Sequence, residues 1–212
     1  LSLKSIPQQL SFSDPSMVSS SLQLAFLAKD QRPQTIDQYT GTSPWKIGLY
    51  ILEQRMSSRI WQSEGKISGA GTNWSRYSPN TRYINLSANL AKDDYAQGMR
   101  LLAGELEHIK QQGVTEQELD DARNATLNSW KKYQDSASSL AAQVVDHYIY
   151  GEPLNTRDVW FEKVEKKLAS LTTADINTAL KQILSGTPRL IVTHSERLSE
   201  PDMVALQKIL AN

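Results

Sequence analysis

The chain has 212 residues, with 23 basic against 23 acidic side chains, 39% hydrophobic and 22% charged residues, and no cysteine. That length makes one large globular domain or two very small ones, and a core of that size stands without disulfide or metal staples. The missing cysteines exclude thiol nucleophiles, zinc ribbons and CxxC redox chemistry, and a formal net charge of zero leaves no basic footprint for nucleic acid.

No apolar run nears the roughly 18 to 20 residues of a membrane helix, so the expectation is a soluble chain with neither nucleic acid nor membrane as partner. The chain begins at Leu1 rather than Met, and its opening residues lack the basic start and apolar core of a signal peptide. This reads as a processed chain or a piece of something longer.

Residues 1–17, rich in Ser, Gln and Pro, read as a linker, and residues 18–212 as a single domain. From Ser19 to Ala28, Leu22, Leu24 and Phe26 alternate with Ser21, Gln23 and Ala25, the period of a strand with one buried face. A polar connector, Lys29 to Thr42, follows. Ser43-Pro44 then opens a helix in which Trp45, Leu49, Leu52, Met56 and Ile60 recur at steps of three and four. Gly65 stops it. Lys66 to Tyr77 and the segment with Ile84, Leu86, Ala88 and Leu90 on one face form a hairpin around Ser78-Pro79-Asn80.

Tyr95, Met99, Leu102, Leu106 and Ile109 mark the next helix, which Gly113 ends. Thr115 to Glu118 is a capping box, so a new helix begins there. Its pattern runs to Tyr150, and a break is expected near Asp135-Ser136, after which Leu140, Val144 and Tyr148 carry a second stripe. Trp160, Val164, Leu168 and Leu171 mark another helix, and Thr172 to Asp175 caps a shorter one with Ile176, Leu180 and Ile183. Arg189 to Thr193 is a final strand, and Ser199 opens a terminal helix with Met203, Leu206 and Ile209 inward. This order argues for an α+β fold, helices packed on one face of a mostly antiparallel sheet.

Local chemistry is sparse. His108, His147 and His194 stand far apart, and no HExxH or HxxEH spacing places two imidazoles one turn apart for zinc. Glu105 and His108 read as an exposed helix-face pair, and His147 and His194 as solvated positions. The hydroxyl clusters Ser19 to Ser21, Ser57-Ser58 and Ser136 to Ser139 sit in neither GxSxG nor SxxK, no GxxxxGK[ST] occurs, and Gly69-Ala70-Gly71 lacks the third glycine and following helix of a dinucleotide site. The remaining concentration is the hairpin: Arg76, Tyr77 and Arg82, with Trp74 and Tyr83, could grip a peptide backbone or carboxylate, or could be ordinary cross-strand pairs.

Two strings are similar to those of a known family. Leu49 to Ile60 (LYILEQRMSSRI) resembles the LxxILxxRLSSRL helix of the pitrilysin/insulinase, or HxxEH, family of zinc metallopeptidases, and Gly113 to Arg123 (GVTEQELDDAR) resembles its GVTEEELERAK segment. Residues 169–184 with Arg189 to Thr193 resemble its closing stretch. The resemblance implies an α+β domain of about 200 residues, several of which build a two-halved shell around a peptide-binding chamber. Only the first such domain carries HxxEH and a distal Glu. Here the helix of Trp45 to Trp61 has none of those ligands.

The resemblance therefore implies a non-catalytic domain of a zinc metalloendopeptidase, with no catalytic residue, metal ligand or cofactor of its own. Zinc would sit in the active HxxEH domain of the parent, a partner in the same or another chain. Peptide substrate would be held by Arg76, Tyr77 and Arg82. The alternatives are an inert interaction or structural module on the same fold and an unrelated hydrolase whose groups meet only in three dimensions. Family habit points to a bacterial periplasmic parent, with a cytoplasmic one as the alternative.

Overall fold

In a computed structural model, which describes residues 9–41, 43–78, 80–91, 94–194 and 198–211, five strands form one sheet in the order β1-β5-β2-β4-β3. They are β1 (Gln9–Ser13), β2 (Ser20–Lys29), β3 (Ile67–Ser78), β4 (Thr81–Leu90) and β5 (Arg189–His194). The pairs β2·β4, β2·β5 and β3·β4 are antiparallel, and β1 runs parallel to β5. The expected α+β fold, with a mostly antiparallel sheet, is what forms.

Period-two patterning sets the register. Leu22 lies opposite Ala88 and Val192, Leu24 opposite Leu86 and Leu190, and Phe26 opposite Ile84. All of these side chains are buried. A slip of one residue would turn every one of them to the other face.

Helices α2 (Ser43–Arg59), α3 (Tyr95–Gln112), α7 (Thr173–Ile183) and α8 (Glu200–Ala211) build the layer over that face. The opposite face carries hydrogen-bonding side chains instead: Asn85 Nδ2 donates to Gln23 Oε1 at 3.0 Å, and Ser21 and Thr193 hydroxyls meet at 2.7 Å. Where α2 crosses α7, a Cβ on Gly48 would fall 2.6 Å from Leu180 Cγ, so the two helices approach at a distance only glycine permits.

Both capping boxes form, Thr115 with Glu118 at the start of α4 (Glu116–Lys132) and Thr172 with Asp175 at the start of α7. The expected break also falls in place: α4 ends at Lys132, and Ser136 caps α5 (Ala137–Tyr150). In α6 (Arg157–Ser170), Trp160, Val164 and Leu168 face the interior as their spacing requires.

Three expectations are corrected. Residues 9–13, inside the stretch read as a linker, add β1 to the sheet, because β5 offers an open edge that no local pattern reveals. Six residues of the polar connector form α1 (Ile36–Gly41), which packs on α6. The stripe on α5 is not a core stripe: no residue of that helix is buried, and Leu140, Val144 and Tyr148 are 47%, 41% and 82% exposed.

Candidate functional site

Arg76 and Arg82 face each other across the β3–β4 ladder, on the side that the helices cover. Two guanidiniums in direct cross-strand register repel, and the fold resolves this by ending β2 at Lys29. Asp30 follows at once, its N–H donating to Asn80 O at 2.9 Å, and its buried carboxylate takes Arg76 Nε on one oxygen and Arg82 Nη2 on the other. Burial alone would push the Asp30 carboxyl up, but the Arg76 hydrogen bond and both guanidinium charges outweigh it and hold the carboxyl below its usual range.

Around this pair stands an aromatic wall. The Arg82 guanidinium lies 4.0 Å from the Trp45 ring centroid, and Trp45 meets Trp74 edge-on at 5.0 Å. Lys46 Nζ sits among the rings of Tyr39, Trp74 and Trp45 at 5.0, 5.0 and 5.6 Å. Burial, reinforced by the charges of Arg82 and Arg76, lowers the Lys46 ammonium to a pKa of about 8. Farther out, Glu152 accepts from Arg32 at 2.7 Å and from Arg76 at 3.3 Å, while Arg32 stacks 3.3 Å over the Tyr150 ring. Four cations, Arg32, Lys46, Arg76 and Arg82, thus meet Asp30 and Glu152, with Asp146 at 4.0 Å from Arg32 as a third and outer carboxylate, and the cluster has positive charge left over for an anionic or carbonyl-bearing ligand.

The three hairpin residues singled out from sequence end up in different settings. Arg82 is buried under Asp30, and Arg76 stays a quarter exposed. Tyr77 is the extra residue of a bulge, between the Arg76·Arg82 and Ser78·Thr81 pairs, and is 58% exposed. Sequence reading missed Asp30, Arg32, Lys46 and Glu152. Nothing local marks them, since Asp30 meets residues 46 and 52 positions away.

A second cluster joins α2, α3 and α4. Arg55 forks onto Glu118 at 2.6 and 2.7 Å, donates to Gly113 O at 2.7 Å and reaches Glu105 at 3.3 Å. Arg59, one turn on, reaches the same Glu105 at 3.3 Å and contacts His108 Nδ1 at 2.8 Å. Glu105 is 0% exposed, which corrects the expectation of a solvated helix-face pair. His194 likewise is buried, 2.8 Å from the Ser11 hydroxyl that β1 brings to it, rather than solvated at a strand end. Gly113, at φ +68°, carries the carbonyl to Arg55, and a Cβ there would strike Asn177 at 2.6 Å.

A zinc site needs three or more deprotonated donors converging on one point. On α2, the residues four apart that face Glu105 are guanidiniums, which stay protonated and cannot ligate. Among the described residues no group of three or more His, Cys, Asp or Glu could hold a metal. The residues present do not fit zinc, and no step through a metal is assigned to this chain.

Fold and clusters together define an α+β domain in which α2 and α3 are joined by ion pairs. Residues 5–126 match the model of the M16 peptidase inactive domain, and the chain belongs to that family. Its fold is similar to the first half of the periplasmic protease PqqL from Escherichia coli (16% identity, TM-score 0.84, covering 96% of this chain and 46% of that one). It is equally similar to the longer PqqL chain (17% identity, TM-score 0.84, 96% of this chain and 24% of that one). A predicted insulinase family protease from Yersinia pestis resembles it at 18% identity and TM-score 0.81, over 97% of this chain and 46% of that one. No curated protein matches by sequence. The chain spans less than half of each of these neighbours, and no helix among the described residues is long and apolar enough to cross a membrane.

Proposed function

We propose that this domain is the non-catalytic part of a zinc metalloendopeptidase, walling the peptide-binding chamber and supporting proteolysis by a separate HxxEH domain that holds the zinc. The observation that carries the reading is the pairing of Arg55 and Arg59, on a helix that matches the family's pattern yet has no histidine to offer, with Glu105. Neighbours more than twice as long leave room for such a partner domain. The exposed apolar side chains of α5 are surface that a neighbouring domain would cover.

In this reading the hairpin end holds substrate. Tyr77 and the exposed part of Arg76 contact the peptide, and Arg82, through Asp30, sets the position of Arg76. The compartment proposed is the periplasm, on the strength of the PqqL likeness. An inert interaction module on the same fold, with the apolar face of α5 covered by a partner that holds no zinc, is the alternative.

The test is peptide cleavage by the full-length protein carrying Tyr77→Ala, Arg76→Ala or Arg82→Ala. We expect kcat/KM to fall about tenfold for Tyr77→Ala and Arg76→Ala, the loss of one or two hydrogen bonds to substrate. Tyr77→Ala should leave the melting temperature unchanged because Tyr77 is exposed. Unchanged kcat/KM in all three would remove the substrate role, and a full-length protein that cleaves no peptide would favour the inert module.

A further inference from the structure

Beyond the hairpin cluster, past Glu152, lies a pocket of about 380 Å³ between α1, the end of α4, α5 and the start of α6. Its size is within the range of roughly 300 to 1,000 Å³ of small-ligand sites. Its walls are four rings, Tyr39, Trp130, Tyr133 and Trp160, with Tyr39 and Trp160 only 4.5 Å apart and Trp130 and Tyr133 6.5 Å apart. Three carboxylates, Asp135, Asp146 and Glu152, share the lining with one cation, Arg157.

We propose that this pocket is a cation-binding subsite that takes the guanidinium or ammonium group of a basic side chain. Ring faces attract cations placed within about 6 Å of their centroids. One helix C-terminus adds negative potential: α5 ends at Tyr150, beside Glu152 and Pro153.

The carboxylates are not equivalent. Glu152 is already bonded to Arg32 and Arg76, Asp146 makes a single long ion pair with Arg32 at 4.0 Å, and Asp135 makes no ion pair among the described residues. Asp135, and Asp146 through its second oxygen, are left for a ligand. Arg157 does not cancel them, because its guanidinium is turned to the last carbonyls of α4, Trp130 O at 2.5 Å and Lys131 O at 3.1 Å.

The chain already recognises its own cations this way nearby. Arg32 lies over Tyr150 while bonded to Glu152, and Arg157 reads a helix C-terminus. The pocket offers the same elements, ring faces, carboxylate and helix end, around a volume that no side chain fills. The inference rests on the proposed function only for the source of the cation, a basic residue of a bound polypeptide.

The experiment is equilibrium binding of fluorescein-labelled tripeptide amides to the full-length protein by polarisation. Gly-Arg-Gly is compared with its neutral citrulline isostere and with Gly-Glu-Gly, and free arginine serves as competitor. We expect the arginine peptide to bind about tenfold more tightly than the citrulline one, the worth of one charge among rings and carboxylates. The double change Asp135→Asn with Asp146→Asn should weaken arginine-peptide binding about tenfold and Tyr133→Leu about threefold. All three residues are on the surface, so the melting temperature should hold.

A peptide that outcompetes free arginine identifies a polypeptide ligand, and equal competition identifies a small free cation at the same site. Equal binding of arginine and citrulline peptides, preference for the glutamate peptide, or an unchanged affinity in the double variant would overturn the proposal. Absence of peptide cleavage would remove the proposed function while leaving these affinities as they are.

Discussion

Arg55 and Arg59, one turn apart on α2, converge on the buried carboxylate of Glu105, whereas Arg76 and Arg82, opposite one another in the β3–β4 hairpin, share the carboxylate of Asp30. The two clusters use the same chemistry for different ends. In the helical cluster Arg55 has its fork filled by Glu118 and two further N–H groups taken by Gly113 O and Glu105, so four of its five donors bind three helices together. In the hairpin cluster cations outnumber carboxylates, aromatic faces stand in for missing counter-charges, and the outer residues reach solvent. Buried charge that is fully paired is structure, and buried charge in excess is a candidate for binding.

Removing a partner should separate the two most sharply. Arg55→Met strips the fully buried Glu105 of one of its two partners and leaves Glu118 unforked, a change that costs about 3 to 5 kcal/mol when a buried pair is broken. Denaturant melts of wild type and variant would measure it, and a loss under about 1 kcal/mol would mean that the helical cluster does not hold the fold.

Acid should expose the same cluster with a smaller effect. The hydrogen bond from Arg55, with those from Thr115, holds the Glu118 carboxyl down at about 2 against an ordinary 4.5, despite partial burial. A carboxyl whose folded pKa is depressed contributes stability that is complete above about pH 4.5 and is lost as pH falls toward 2. Thermal melts over that window should fall more steeply for wild type than for Arg55→Met, and parallel curves would assign the acid sensitivity elsewhere. Glu118 is partly exposed, so solvent screening keeps its share small.

The smallest effect is expected at the surplus cation. Lys46→Met keeps the volume among Tyr39, Trp45 and Trp74 and removes a charge that burial and two arginines already disfavour. Stability should change by less than about 1 kcal/mol. A loss above about 2 kcal/mol would show that Lys46 is as structural as Arg55, and the contrast between the clusters would fall.

Much of the architecture was legible because it is written at short range. The alternation of Leu22, Leu24 and Phe26, the capping boxes of Thr115 and Thr172, the spacing of Met99, Leu102 and Leu106, and the two family-like strings all state their structure within a dozen residues. Arg76 and Arg82 were found for the same reason, as neighbours across a visible turn. What failed was long in range. β1 is a strand only because β5, some 180 residues away, supplies its hydrogen-bond ladder. Glu105 looks like any helix-surface acid until α2 brings two arginines over it, and α5 has a core-like stripe with no core beneath it.

By itself, then, the sequence determined the class of fold, the family and the lack of a zinc-ligand spacing, since periodicity, caps and motif strings act through neighbours along the chain. Only the tertiary structure decided which charges are structure and which are surplus. That depends on burial and on partners drawn from separate elements: Asp30 beneath the hairpin, Glu152 beyond it, and four aromatic rings from three helices and the loop after α4 closing one pocket. The energy of a charge is set by its surroundings in space, and those are assembled only when the helices close over the sheet.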